Sequence, residues 1–297
     1  MFDTVPLLDC AGRSLKLDRA RVMGIINVTP DSFSDGGAHA TTEEAITHAL
    51  ALVEEGADLL DIGGESTRPG AEPVPVEEEL RRTIPVIEAL ARLVSVPISI
   101  DTSKAEVMRA AVEAGACMIN DVQALRGEGA LDMAARLGVP VVLMHMRGEP
   151  GSMKEAPAYD DVVGEVHRFL AERIFVAEMA GIDKKRIVVD PGFGFGKTVQ
   201  HNLQLLAQLR RFTELGVPVL AGLSRKQTIG ALTGRDEPRD RMAGSVAAHL
   251  LAAERGALIV RVHDVAATVD ALNVWHALSA VPMPRTEATP SMRWPED

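Results

Sequence analysis

The chain has 297 residues, of which 46% are hydrophobic, and its 31 basic and 42 acidic residues give a formal net charge of −11. This length allows one large core, because barrels of parallel strands run to about 250 residues as a single domain. The acidic balance argues against binding to nucleic acid or to an anionic membrane surface, since both need a basic footprint.

The cysteines and the hydropathy pattern indicate a protein of the reducing cytoplasm. Cys10 and Cys117 have neither the spacing of a metal cluster nor the density of a disulfide scaffold. The acidic start of the chain is unlike a signal peptide, and no apolar run approaches the ~20 residues of a membrane span. We therefore expect an unexported protein without a membrane partner.

Eight short apolar runs, separated by enough chain for a crossover helix, each end at or beside a polar residue. These runs close at Asn27, Asp61, Asp101, Asn120, His145, Asp190, Ser224 and the pair Arg261 and His263. In a (β/α)8 barrel the carboxyl ends of the strands converge on one face, where active sites lie. The pattern predicts an α/β protein, a single-domain (β/α)8 TIM barrel with these residues at its mouth.

A recurring junction of helix end, glycine and strand supports the same fold. It centres on Gly56, Gly115, Gly138, Gly181, Gly216 and Gly256. A glycine just past a helix adopts the left-handed conformation that turns the chain into the next strand. We expect an N-terminal cap over residues 1–20, a barrel over 21–280 and a flexible, proline-rich tail over 281–297.

The polar segment that follows the first run, residues 27–37, is too long for a minimal turn, so we expect a substrate lid. Asn27 at its start offers one oxygen to a Mg²⁺ ion that otherwise binds diphosphate and water, the usual arrangement for that ion. The sequence suggests no carboxylate cage or His/Cys set for a tighter metal.

Two carboxylates and an amide at neighbouring strand ends, Asp101, Asn120 and Asp190, suit the donor and acceptor edge of a pterin. Each also has an ordinary alternative, since Asp101 can cap the next helix, Asn120 can be a satisfied core amide and Asp190 can lie in a solvated turn. The following Gly196-Lys197-Thr198 is not a phosphate loop, because Pro191 stands where that motif needs glycine. We expect the loop to present two aromatic faces.

Cationic side chains form a second candidate cluster. Arg261 and His263 are two apart on the last strand and share a face, so an inward arginine must pair with neighbouring carboxylates or with a bound phosphate. We favour the phosphate, because barrel loops near the last strands often bind one. Arg68, on a glycine-rich loop, could close over such an anion, and Lys226 starts a helix whose N–H groups attract anions. A solvated surface position is the alternative for both Arg68 and Lys226.

Over residues 22–264 these motifs closely resemble those of the dihydropteroate synthase family of the folate pathway. The segments concerned are 27–37, 61–70, 99–102, 119–122, 190–197, 224–226 and 261–264. The resemblance implies an enzyme, a transferase that condenses hydroxymethyl-dihydropterin diphosphate with para-aminobenzoate to give dihydropteroate and diphosphate. It also implies a homodimer, and binding of sulfonamides in the aminobenzoate pocket.

The resemblance further implies a role for each matching residue. The pterin would contact Asp101, Asn120, Asp190, Lys226 and Arg261; the diphosphate would contact Asn27, Thr67, Arg68, Arg261 and His263; the aminobenzoate would contact Phe33, Thr67, Pro69, Phe195 and Ser224. Asn27 would carry Mg²⁺, and catalysis would depend on Asp101, Lys226, Arg261 and His263. Diphosphate would leave first, and the amine would capture a methylene cation held by electrostatics.

Three alternative functions fit parts of the pattern. A folate-dependent methyltransferase domain shares the barrel and the pterin edge but needs neither the Arg261 and His263 pair nor the first lid. A non-catalytic pterin-binding paralogue would lack one of the charged residues. A sugar-phosphate isomerase would need a catalytic base beside a phosphate site, and the fold alone does not separate these functions.

Overall fold

In the computed structural model, the structure describes residues 5–29, 38–66, 72–148 and 158–281, without the side chains of 38–41. Eight parallel strands close into one barrel in the order β10-β3-β4-β5-β6-β7-β8-β9, after a two-stranded antiparallel hairpin, β1 and β2. The strands are β1 (Leu7–Cys10), β2 (Arg13–Lys16), β3 (Arg21–Asn27), β4 (Leu59–Gly63), β5 (Ile98–Asp101), β6 (Met118–Asp121), β7 (Val141–Met144), β8 (Ile187–Asp190), β9 (Val219–Ala221) and β10 (Ala257–Val262). The predicted (β/α)8 barrel is confirmed.

Helices lie between the barrel strands and after the last one, so the barrel strands are covered on their outer side and buried on both faces. The α-helices are α1 (Ala38–Glu54), α2 (Val76–Leu93), α3 (Ala105–Ala114), α4 (Ala130–Leu137), α5 (Val162–Met179), α6 (Val199–Ala207), α7 (Arg210–Thr213), α8 (Gln227–Thr233), α9 (Met242–Glu254) and α10 (Val265–Ser279). Burial on both faces explains why the strands read as continuous apolar runs rather than as alternating patterns.

The six junction glycines all have the predicted left-handed backbone. Their φ angles range from 65° at Gly138 to 119° at Gly115. At Gly115 an added Cβ would also lie 2.5 Å from the Cβ of Ala91 on α2, so the position has no room for a side chain. These glycines return the chain from the helices to the N-terminal end of the barrel.

The barrel interior is apolar at its N-terminal end. Its lowest layer joins the hairpin to seven strands in one buried cluster, formed by Leu8, Cys10, Leu15, Leu17, Met23, Leu59, Cys117, Met118, Val142, Val188, Leu220 and Ile259. Asp61, Asn120, Asp190 and Arg261 lie two residues further along their strands than members of this cluster. The strand β5 adds Ser99 and Asp101 to this polar layer. The interior therefore changes from hydrocarbon to polar groups within two residues of strand.

Ion pairs and hydrogen bonds fasten the N-terminal end. Asp58, just before β4, accepts from Arg19 at 2.6 Å, from Arg21 at 2.8 Å and from the Val22 backbone N–H at 2.9 Å. Arg13 of the hairpin donates to the carbonyls of Val96 and Ala91. The cluster and these contacts hold the hairpin against the closed end of the barrel, away from the strand ends.

Within the described ranges, no helix is both long and apolar enough to cross a membrane. The predicted tail lies outside the described residues except for Val281, and the boundaries of cap, barrel and tail stay a prediction.

Candidate active site

Arg261 is the centre of the polar layer at the carboxyl ends of the strands. Its Nε donates to Asp61 Oδ2 at 2.6 Å, and its Nη2 donates to Asp101 Oδ2 at 2.8 Å. The Asn120 amide also donates to Asp61 Oδ2, at 2.9 Å. The structure thus shows Arg261 paired with carboxylates, and the favoured phosphate partner stays a prediction.

The charges of this layer are held out of water, and their pKa values respond. Burial raises the pKa of Asp101 to about 7; Arg261 opposes the shift, while the charges of Asp61, Glu79 and Asp121 add to it. Gly63 on β4 lies beside this carboxyl, and an added Cβ there would be in ordinary van der Waals contact with the Asp101 Cβ, at 3.5 Å. A carboxyl so placed is poised to respond to positive charge that develops above it.

Asp190, at the end of β8, and Lys226, in the connection after the neighbouring strand β9, place opposite charges near each other at the barrel mouth. Burial raises the pKa of Asp190, with Lys226 opposing the shift, and burial lowers the pKa of Lys226 to about 8, with Asp190 opposing. Lys226 donates to the Phe193 carbonyl and lies 4.5 Å from the centre of the Phe195 ring. A Cβ on Gly222 would lie 3.9 Å from Asp190 Oδ2, Lys226 Nζ and Arg261 Cβ alike, so these groups converge beside a bare stretch of backbone.

Ser224 and His263 lie together at the ends of β9 and β10. The Ser224 hydroxyl accepts from the His263 backbone N–H at 3.1 Å and lies 2.9 Å from His263 Nδ1. Beside them, Arg225 has a left-handed backbone with φ of 55° and donates to both carboxylate oxygens of Asp264. This ion pair ties the loop that carries Lys226 to the end of the last strand.

The loop after β8 is fastened from below by Lys197, whose Nζ donates to the carbonyls of His145, Gly192 and Phe195 and lies 2.9 Å from His145 Nδ1. Burial lowers the pKa of His145 to about 2, and burial also lowers the pKa of Lys197 well below its usual value, with the charge of Asp190 opposing that shift. The expectation of two aromatic faces on this loop is wrong, because Phe193 is only 1% exposed and belongs to the core. Phe195 is the half-buried aromatic that remains, packed against Val122, Met144 and Met146.

The connection from β4 to α2 is anchored at its base. Lys104 lies 2.5 Å from both Glu65 and Glu79, and Glu79 is fully buried on α2. The Val74 backbone N–H donates to Glu65, which brings the two described ends of the connection together. The predicted residues Thr67, Arg68 and Pro69 of this connection, and Phe33 of the first lid, lie outside the described residues.

Asn27 is half-buried at the end of β3, next to Gly63 in the strand register. Across the described parts of the chain, no group of three or more His, Cys, Asp or Glu side chains could hold a metal ion. One amide oxygen suits Mg²⁺ that keeps its waters and binds a substrate diphosphate, but it does not make a cage formed by protein alone. The donor set thus fits the predicted ion only in that form.

The structure brings Asp101, Asn120, Arg261 and the pair of Asp190 and Lys226 to one face of the barrel, as the strand pattern predicts. Sequence reasoning missed Asp61 as a partner of Arg261 and Lys197 as the buried support of its loop. Asp61 stood among the strand ends, but it lies two residues before the end of β4. Lys197 carried a signal only as part of the rejected phosphate motif.

A family model described as "Pterin binding enzyme" matches residues 23–263. The dihydropteroate synthase of Escherichia coli strain K12 is 53% identical over 266 residues, which cover 90% of this chain and 94% of that relative. The solved structure of Xanthomonas albilineans dihydropteroate synthase with 7,8-dihydropteroate matches with a TM-score of 0.86 and 70% sequence identity. The match covers 93% of this chain and 100% of that chain. The Yersinia pestis enzyme with a sulfonamide drug has a TM-score of 0.89 and 48% identity over 93% of this chain and 100% of that one. The chain belongs to the pterin-binding enzymes and, within them, to the dihydropteroate synthase family.

Proposed function

We propose that the protein condenses hydroxymethyl-dihydropterin diphosphate with para-aminobenzoate to give dihydropteroate and diphosphate. The transfer of a pterin group follows from membership of the family. The observation that carries the assignment of this site is the convergence of Asp101, Asn120, Asp190, Lys226 and Arg261 on the carboxyl ends of the strands. In barrel enzymes this is the face where catalysis occurs.

The pterin ring lies in the barrel mouth in this proposal. Asp101 and Asp190 accept from its ring N–H and amino groups, and Asn120 supplies an amide that both donates and accepts. Lys226 donates to a ring acceptor, and the Arg261 guanidinium lies against the ring. The backbone of Gly222 leaves the space that the ring needs beside Asp190, Lys226 and Arg261.

Diphosphate leaves toward the cationic side of the mouth. In this proposal Arg261 and His263 contact it from the end of β10, and Thr67 and Arg68 are assigned to it by the resemblance to the family alone. Mg²⁺ bound with Asn27, water and the diphosphate would neutralise charge on the leaving group. Asp101 stabilises the positive charge that builds on the pterin methylene, and exclusion of water preserves this cation for the amine.

The aminobenzoate then attacks from a pocket to which the resemblance to the family assigns Phe33, Thr67, Pro69, Phe195 and Ser224. Its carboxylate lies near the start of α8, and its aniline nitrogen needs no general base because it is nucleophilic at neutral pH. Sulfonamides share the shape and charge of this substrate and occupy the same pocket in the proposal. The Ser224 contact with His263 supports a link between the amine pocket and the diphosphate side.

The proposal includes a homodimer and a cytoplasmic location. Leu278 on α10 is 70% exposed and Val274 is 72% exposed, and Leu251 on α9 adds a third exposed apolar side chain. Apolar surface of this kind supports association between copies of the chain. Sedimentation of the purified protein measures the mass, and a monomer at micromolar concentration would contradict this part.

The central test is release of diphosphate by the purified protein with Mg²⁺ and the pterin diphosphate, with and without para-aminobenzoate. Amine-dependent release with dihydropteroate as product is the expected result. Pterin binding without amine-dependent release would instead indicate the non-catalytic paralogue. Transfer of a methyl group from a folate would indicate the methyltransferase.

A further inference from the structure

Asp61 is the most deeply placed charge of the polar layer. Its side chain is 0% exposed, and its position on β4 pairs in register with Ser99, two residues below Asp101 on β5. One carboxylate oxygen, Oδ2, accepts from both Arg261 at 2.6 Å and Asn120 at 2.9 Å. Asp61 thus lies beneath the mouth and contacts two of the side chains that face it.

Each of these two hydrogen bonds fixes an orientation. The bond to Nε sets the plane of the Arg261 guanidinium, since Nε joins the planar group to its stem. In that plane Nη2 donates to Asp101 Oδ2. The bond from Nδ2 settles which way the Asn120 amide faces, so its oxygen is directed away from Asp61. One buried carboxylate therefore sets the geometry of groups on β6 and β10.

The other carboxylate oxygen of Asp61 is buried without a hydrogen bond from the described residues. Neither Asp61 Oδ1 nor Ser99 Oγ has a hydrogen-bond partner among the residues that the structure describes. A buried charge with one oxygen unpaired is costly, and a buried ion pair that is replaced as a whole by apolar side chains is often no less stable, although removal of one partner alone is destabilising. Stability alone therefore gives no reason for an aspartate here.

We infer that Asp61 is a positioning residue, whose buried carboxylate orients the Arg261 guanidinium and the Asn120 amide toward the pterin. The inference rests on the proposed function, in which both partners contact the pterin. It assigns Asp61 no contact with substrate and no proton transfer.

The variant Asp61→Asn tests this inference, because it keeps the shape of the side chain and removes the charge. The matched control is Asp58→Asn, which removes a carboxylate that is also paired with arginine, at the closed end of the barrel. For each protein we would measure thermal unfolding, kcat, KM for both substrates, and binding of the hydroxymethyl pterin by calorimetry.

We expect Asp61→Asn to lower kcat by about 10²-fold, since small displacements of reacting groups have effects of this size, and to weaken pterin binding. The KM for para-aminobenzoate should stay within about twofold of the wild-type value in this variant. Asp58→Asn should lower the unfolding temperature and leave kcat and pterin binding unchanged.

A folded Asp61→Asn protein with wild-type kcat and pterin binding would overturn the inference, as would equal kinetic losses in the two variants. If Asp61→Asn does not fold, Asp61→Ser is judged by the same measurements, and failure of both to fold would make Asp61 a requirement of the fold instead. Loss of pterin binding in Asp61→Asn decides the inference even if the wild-type protein releases no diphosphate, so the two proposals fail separately.

Discussion

The two ends of the barrel use the same pair of residue types in different ways. At the closed end, Asp58 is shared by Arg19 and Arg21 and by a backbone N–H, and it joins the chain before β3 to the chain before β4. At the open end one arginine, Arg261, is shared by Asp61 and Asp101. At the closed end both oxygens of the carboxylate accept hydrogen bonds, whereas at the open end Asp61 Oδ1 has no partner among the described residues.

This difference shows how one scaffold separates stability from chemistry. The apolar layer beneath Arg261 excludes water, which strengthens every electrostatic interaction above it. Burial of the apolar layer offsets the unfavourable free energy of burying these charges. Substitutions at the closed end should therefore change unfolding, and substitutions at the open end should change turnover.

The largest expected effect is that of Asp101→Asn. Loss of this carboxylate removes charge stabilisation where the cation forms, and we expect kcat to fall by roughly 10² to 10³, as for removal of a preorganised stabilising group. Steady-state kinetics with circular dichroism checks this result. Asp58→Asn is its control at the closed end, and near-normal turnover of folded Asp101→Asn would remove Asp101 from the mechanism.

Gly222→Ala should weaken pterin binding by about tenfold, the scale of one misplaced methyl group in a pocket. The added Cβ fits the protein itself, at 3.9 Å from its nearest neighbours, so unfolding should hardly change. Calorimetry with the pterin diphosphate measures the loss. Gly24→Ala is the control and should lower the unfolding temperature while pterin affinity stays unchanged, because its Cβ would lie 3.0 Å from Leu52 behind β3. Unchanged affinity in Gly222→Ala would place the ring elsewhere.

The pH profile of kcat/KM should be bell-shaped. Asp101 acts when ionised, and its pKa of about 7 predicts that activity rises through this pH. Lys226 acts when protonated, and its pKa of about 8 predicts a fall above that pH. Lys226→Arg should move the alkaline limb upward because arginine keeps its proton. An alkaline limb that stays in place in this variant would assign it to another group.

The same carboxyl links pH to stability. Burial raises the pKa of Asp101 in the folded chain above the value of about 3.9 in the unfolded chain, so the folded state binds its proton more tightly. Ionisation therefore costs stability as the pH rises through this window. The unfolding temperature of the wild-type protein should fall relative to that of Asp101→Asn between about pH 4 and about pH 7, the window bounded by the unfolded and folded pKa values of this carboxyl. A constant difference would contradict the raised pKa.

The smallest kinetic effect belongs to Arg13→Met in the hairpin. Two hydrogen bonds to the Val96 and Ala91 carbonyls are lost, and we expect a cost of about 1–2 kcal/mol in unfolding free energy. Denaturant unfolding measures this cost, while kcat should stay unchanged. A clear loss of turnover would show that the two ends of the barrel are not independent.

Sequence pattern predicted the barrel because its signals are local. The junction glycines lie within six residues of the strands they introduce, and Asp101, Asn120 and Asp190 lie at or near strand ends. These signals come from backbone conformation and burial, which short segments determine. The convergence of these strand ends then follows from the closure of the sheet.

Side-chain partners could not be predicted in the same way, because they join distant parts of the chain. Lys197 looks like a surface lysine in its sequence, and only the approach of β7 supplies the His145 carbonyl and ring that it contacts. Phe193 and Phe195 are two residues apart with the same local setting, yet one enters the core and the other contacts Lys226. Turns of the loop, not residue type, decide between them.

The ion pair between Asp61 and Arg261 spans 200 positions of sequence. During synthesis, β4 therefore emerges long before the guanidinium that will neutralise its carboxylate, and β10 is the last strand to be made. A chain released short of β10 would lack the guanidinium that pairs with both Asp61 and Asp101. The polar layer therefore gains its full set of ion pairs only when β10 joins β9 and β3 and closes the barrel.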